Sequence, residues 1–232
     1  MDNIIECRQL VKKYHGTPAL CGIDLDIKKG KIVGLLGPNG SGKTTFIKLL
    51  NGLLSVDGGT VLIDGKEIGV ETKSVVSYLP DSNFLSNSAT TEEMMRYFED
   101  FFPDFRREKA EKMLEALSID PKKKIKTLSK GNKEKVALIL VMSRQAKLYL
   151  LDEPIAGVDP ATRDYILRTI IQNYSDNATV IISTHLIADV EPILDEAIFI
   201  KNGNIVLNES VDDIREKRGM SVDALFREEF RC

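Results

Sequence analysis

Several things are scarce in this chain of 232 residues, and each scarcity excludes something. Charge of one sign is the first: 32 basic residues stand against 35 acidic ones, a net charge of −3, so no positive excess recommends a nucleic-acid partner. Long apolar runs are the second. The longest is Val136 to Met142, far short of the ~20 residues that cross a bilayer, and the polar start Met1-Asp2-Asn3 does not read as a signal peptide. Cysteine is the third: Cys7, Cys21 and Cys232 have no metal-ligand spacing and an odd count, which suits reduced thiols and a cytoplasmic setting. There is neither an internal repeat nor a low-complexity linker. Histidine occurs only at His15, in a turn-like stretch that reads as structural, and at His185.

What is present is concentrated at a few places. Gly37-Pro38-Asn39-Gly40-Ser41-Gly42-Lys43-Thr44 follows the apolar run Ile32 to Leu36 and precedes a helical pattern through Phe46, Ile47, Leu49 and Leu50. Glycines let successive backbone N–H groups converge on phosphate oxygens, and the following helix points its positive end at the same anion. Lys43 can reach the outer phosphates and Thr44 can hold Mg²⁺, so the segment reads as a nucleotide-phosphate cradle, extending to Thr45. A second apolar run, Leu148 to Leu151, leads into Asp152-Glu153-Pro154, where the first acid can hold Mg²⁺ and the second can orient a water. A third, Thr179 to Ser183, ends in the polar segment Ser183-Thr184-His185, where a parallel sheet places its ligand.

The same runs, apolar throughout, read as parallel strands buried on both faces. Ile4 to Ile27 and Thr60 to Ile68 are β-rich, with the turn signal Asp64-Gly65, and predict an antiparallel sheet; Ala197 to Lys201 and Ile205 to Leu207 predict a hairpin through Asn202-Gly203. Residues 82–147 lack strand signals. There Thr90 and Glu93 form a capping box ahead of Met94, Met95, Phe98, Phe101 and Phe102, a stripe that reads as core, and a second helix is expected from Asp104, ending before Pro121. Lys122-Lys123-Lys124 reads as a solvated loop, and the tail from Asp212 to Cys232 as helix. The expected division is a core lobe of about 1–81 and 148–232 around a helical lobe of about 82–147.

In this order the motifs resemble the nucleotide-binding subunits of ATP-binding-cassette (ABC) transporters over nearly the whole chain. Leu128-Ser129-Lys130-Gly131-Asn132 stands where that family has its signature, Gly157-Val158-Asp159 looks like its D-loop, and Tyr14 matches the aromatic on which adenine stacks. The resemblance implies an α/β fold, a P-loop NTPase (RecA-like) core with an antiparallel β subdomain and an inserted α-helical subdomain. It also implies ATP hydrolysis in a head-to-tail dimer, of two copies or with another ATPase subunit, each ATP lying between one chain's phosphate loop and its partner's Ser129, Lys130, Gly131 and Asn132. Glu153 would polarise the attacking water, Lys43 and Mg²⁺ disperse phosphate charge, His185 contact the γ-phosphate and Asp159 cross the interface.

Three positions depart from the family pattern: Asp81 replaces the Q-loop glutamine, its carboxylate being one that could still approach Mg²⁺ or the water, while Lys130 and Asn132 replace a glycine and a glutamine of the signature. Such variants resemble the ATPases of bacterial multidrug and bacitracin-type export systems. The implied function is to power a separate integral-membrane permease at the inner face of the cell membrane, export being the implied direction, with the helical lobe near Asp81 to Phe105 as the docking face. A non-transport ABC ATPase and a weakly hydrolysing nucleotide-dependent regulator are the alternatives.

Overall fold

The computed structural model describes residues 2–174 and 177–231; Met1 and Cys232 lie outside them. The chain starts with β1 (Asn3–Tyr14), β2 (Thr17–Lys28), β3 (Ile32–Leu36) and α1 (Lys43–Leu50). Then come β4 (Gly58–Ile63), β5 (Lys66–Glu67), α2 (Val70–Val75) and β6 (Val76–Leu79). Three helices follow, α3 (Thr91–Phe101), α4 (Arg107–Ala116) and α5 (Lys130–Met142). The chain then alternates through β7 (Leu148–Asp152), α6 (Pro160–Asn173), β8 (Thr179–Thr184) and α7 (Ile187–Val190), and ends with β9 (Glu196–Lys201), β10 (Asn204–Ser210), α8 (Val211–Arg218) and α9 (Val222–Glu229).

Among the described residues the strands form two sheets. One is antiparallel, in the order β2-β1-β4-β5; the other has the order β10-β9-β3-β8-β7-β6, parallel throughout except for the β9-β10 hairpin. Both hairpin signals in the sequence are realised, with Asp64-Gly65 and Asn202-Gly203 at positive φ as a primed two-residue turn requires.

The larger sheet separates two apolar cores, and the alternation along its strands shows how. Val33, Leu35, Val76, Leu148, Leu150 and Ile181 face α1 and the antiparallel sheet, while Ile32, Leu36, Leu79, Tyr149, Leu151 and Val180 face the helices. Strands covered on both faces have no polar side to show, which is why these segments read as unbroken apolar runs. By the same alternation Asp152 and Ser183, the next polar residues on β7 and β8, emerge on the α1 face.

In the helical segment the capping box forms as expected: Glu93 N–H donates to Thr90 Oγ1 at 3.1 Å and Thr90 N–H to Glu93 Oε2 at 2.7 Å. Two expectations need correction. Phe101 is 64% exposed and stacks on Tyr97, since at the end of α3 it has turned past the buried face of Met94, Met95 and Phe98. The second helix starts at Arg107 instead of Asp104, because the Asp104 carboxylate is taken by Arg144, from Nε at 3.0 Å and Nη2 at 3.1 Å. That guanidinium is only 3% exposed, also donates to the carbonyls of Val76 and Ser74, and stacks on Phe102. It fastens the helical segment to the start of β6. No helix among the described residues is long and apolar enough to cross a membrane.

Candidate functional site

The phosphate-binding candidate lies where β3 ends and α1 begins. Gly42 is at φ +114°, and a Cβ there would come within 2.8 Å of the Ala19 carbonyl, so the turn into α1 admits glycine alone. Ser41 N–H donates to the Pro38 carbonyl at 3.2 Å, and Gly203 N–H to the Ser41 carbonyl at 2.9 Å, so the β9-β10 turn braces the loop from outside. Lys43 is buried; its ammonium donates to the carbonyls of Gly37 at 2.8 Å and Pro38 at 3.2 Å and lies 3.4 Å from Glu153 Oε1. A cleft of about 240 Å³ opens here, lined by Asn39, Gly40, Gly42, Lys43, Thr44 and Thr45 together with Ala19, Asp81 and Glu153.

The parallel register brings the acids to the same place. Asp152 pairs with Ser183 across β7 and β8; its Oδ1 accepts from the Ser183 hydroxyl and, at 3.2 Å, from the Thr44 hydroxyl. Its other oxygen, Oδ2, is buried and has no hydrogen-bond partner among the described residues. Burial raises the Asp152 carboxyl above the usual range, the two hydroxyls lower it in part, and the charges of Asp81 and Glu153 raise it again. A buried carboxylate oxygen beside a threonine hydroxyl, with further negative charge around it, fits a hard divalent cation such as Mg²⁺. Among the described residues no group of three or more His, Cys, Asp or Glu could together hold a metal ion.

Glu153 has φ +50°, a strained conformation for a residue with a side chain, and its N–H donates to the Ser183 carbonyl at 3.0 Å. The carboxylate is thereby held between Lys43 and His185, whose Nδ1 lies 3.0 Å from Oε2. Ser183 is the member of this group to which sequence reasoning gave no role; its signal was a polar residue closing an apolar strand, and only the β7–β8 register shows that it serves Asp152.

Other expected residues lie apart. Tyr14 is 43% exposed at the end of β1 and is not in the cleft lining. Ser129 caps α5, accepting from Asn132 N–H at 3.3 Å, and Asp159 caps α6, accepting from Thr162 N–H at 3.0 Å and its hydroxyl at 2.7 Å, bonds that hold its carboxyl below the usual range. Lys130 donates to the Gly157 carbonyl at 3.0 Å, and a Cβ on Gly131 would lie 3.1 Å from Thr162 Oγ1. The two helix starts therefore adjoin in one chain. Asp81 and Glu153 lie between them and the phosphate loop, lining both the 240 Å³ cleft and a second one of about 250 Å³ beside Lys130, Lys133 and Glu134.

The sequence pattern of the family described as ABC transporter matches residues 20–156, more than half of the chain. An ABC transporter ATP-binding protein, YtrB of Bacillus subtilis (strain 168), is 32% identical over 92% of this chain and 74% of its own length. The linearmycin resistance ATP-binding protein LnrL of the same strain is 29% identical over 93% and 72%. A solved ATP-binding subunit of an ABC transporter superposes with a TM-score of 0.86 at 27% identity, over 97% of this chain and 98% of that one. The α/β phosphate-loop fold expected from the sequence is therefore the fold found. The chain belongs to the ABC transporter family, as an ATP-binding subunit, a nucleotide-binding ATPase that works with membrane permease components.

Proposed function

We propose that this subunit hydrolyses Mg²⁺-ATP between two ATPase subunits to power export through a separate permease. The observation that carries the proposal is the convergence of buried Lys43, the partnerless Oδ2 of Asp152 and the strained Glu153 at the C-terminal ends of β3 and β7. The backbone from Gly37 to Gly42 and the start of α1 cradle phosphates, Lys43 exchanging its loop carbonyls for outer phosphate oxygens. Thr44 and Asp152, with Asp81 nearby, would hold Mg²⁺, which when bound supplies positive charge to the phosphate oxygens. Glu153, kept in place by its N–H donating to the Ser183 carbonyl and hydroxyl, accepts the proton of the attacking water, and His185 steadies the Glu153 carboxylate and approaches the γ-phosphate.

Ser129, Lys130, Gly131 and Asn132 lie outside the phosphate cleft of their own chain, which supports their use on the partner's nucleotide; Asp159 and Tyr14 would complete the interface and the adenine contact. An apolar groove of about 560 Å³, with Leu53, Tyr78, Tyr97, Phe98 and Phe102 in its lining, suits a permease segment docked near Asp81 to Phe105 and supports the division into a core lobe of about 1–81 and 148–232 and a helical lobe of about 82–147. The relative named for linearmycin resistance supports export. The subunit would then sit at the cytoplasmic face of the membrane through its permease.

The test is light scattering with Mg²⁺-ATP on wild type and Glu153→Gln. A nucleotide-dependent dimer that persists in the variant is expected. Monomers with ATP demonstrably bound in both would sink self-assembly of this chain and point to a second, different ATPase subunit.

A further inference from the structure

Among the buried side-chain oxygens that have no hydrogen-bond partner among the described residues are Ser41 Oγ, Asp152 Oδ2 and Tyr78 Oη. Phosphate and metal account for the first two. The function proposed above uses the Tyr78 ring as groove lining but not its hydroxyl, and a buried hydroxyl without a partner requires a reason.

Its place in the sheet supplies one. Tyr78 pairs with Leu150 in the parallel register of β6 and β7, and both pack into the core on the α1 face. Asp152 is two residues beyond Leu150 and so emerges on the same face of the neighbouring strand as Tyr78. Thr44, at the start of α1, closes the third side through its bond to Asp152. Burial raises the Tyr78 hydroxyl above its ordinary range, and the charges of Asp152 and Asp81 raise it further, so it stays a neutral phenol able both to donate and to accept. The ring, meanwhile, forms part of the apolar groove with Phe98, Phe102 and Arg144.

We propose that Tyr78 is a positioning residue for the metal of the ATPase reaction: its hydroxyl would accept a hydrogen bond from the hydration shell of the Mg²⁺ that Thr44 and Asp152 would hold, while its ring walls the groove. This rests on the Mg²⁺-ATP reading of the site. It gives the groove and the metal shell one side chain in common, next to Asp81 where the family has glutamine.

The experiment is a Mn²⁺ titration followed by electron paramagnetic resonance, with saturating ATP, in a Glu153→Gln background to preserve the nucleotide. Tyr78→Phe removes one oxygen and keeps the ring. The expected result is Mn²⁺ held about tenfold more weakly, the usual size of an outer-shell loss, with unchanged metal-free ATP affinity and an unchanged or higher melting temperature. Equal Mn²⁺ affinity would overturn the proposal, as would a parallel fall in metal-free ATP affinity or melting temperature, which marks a role in the fold. Failure of the Tyr78-containing parent to bind Mn²⁺ with ATP at all would instead overturn the metal reading itself.

Discussion

Arg144 and Asp104 form a fork-to-fork ion pair, with Nε to Oδ1 at 3.0 Å and Nη2 to Oδ2 at 3.1 Å, and the same guanidinium holds the Val76 and Ser74 carbonyls. One buried cation thus joins the helical segment to the edge strand that leads to Asp81. Removing it strands the Asp104 carboxylate and two carbonyls together. Arg144→Met is expected to destabilise the protein by about 3 kcal/mol, read from urea unfolding, because breaking a buried pair leaves its partner uncompensated. A loss below about 1 kcal/mol would show that the pair behaves as a surface contact.

Glu153→Gln keeps the shape of the side chain and removes the proton acceptor. Steady-state ATPase activity should fall by about 10² to 10⁴-fold, with nucleotide affinity retained. Measurable wild-type turnover abolished in this variant would also dispose of the weakly hydrolysing regulator as a reading of the chain; residual turnover near the wild-type rate would move the base elsewhere.

Asp152 sets stability against function. Its carboxyl is raised by burial, so its ionised form at neutral pH is disfavoured by the fold; the stability tied to this group is present at low pH and lost as pH rises through the folded value. Asp152→Asn should therefore raise the melting temperature without nucleotide by a few degrees and abolish the added stabilisation by Mg²⁺ with ATP. Calorimetry with and without Mg²⁺-ATP reads both, and a lowered nucleotide-free melting temperature would contradict the argument.

Asp64 works in the opposite direction. Hydrogen bonds from Lys147 and Lys29 hold its carboxyl at about 2. A depressed carboxyl contributes stability above its ordinary value of 3.8 and loses it as pH falls toward about 2. Asp64→Asn, which still accepts the positive φ of the turn, should flatten the fall in stability between those two values, measured by thermal melts across the acid range.

Lys130 stands where the family has glycine, and its bond to the Gly157 carbonyl is largely exposed. Lys130→Met should change global stability by less than about 1 kcal/mol yet speed amide exchange in the 157–159 loop. Unchanged exchange there would mean that the contact restrains nothing.

Much of this was legible in the sequence, and for local reasons. The phosphate loop, the Thr90-Glu93 box and the Asp64-Gly65 and Asn202-Gly203 turns are each specified by residues within a few positions of one another. The central strands announced themselves because both faces are covered. What escaped depends on partners distant in the chain: Ser183 beside Asp152 needs the register of β7 on β8, and Arg144, a charge after an apolar run, is buried only because Asp104 and β6 close over it. Phe101 was misjudged because spacing gives a helix face without saying where that face ends.

The bracing of Ser41 by Gly203 bears on how the molecule is made. β3, the strand that launches the phosphate loop, pairs with β8 and β9 alone, both from the last third of the chain. On the ribosome the glycine-rich loop emerges early, without neighbours on either side of its strand. Neither the sheet partners of that strand nor the Gly203 brace can form until residues 179–203 have left the exit tunnel, so the loop is made long before its supports.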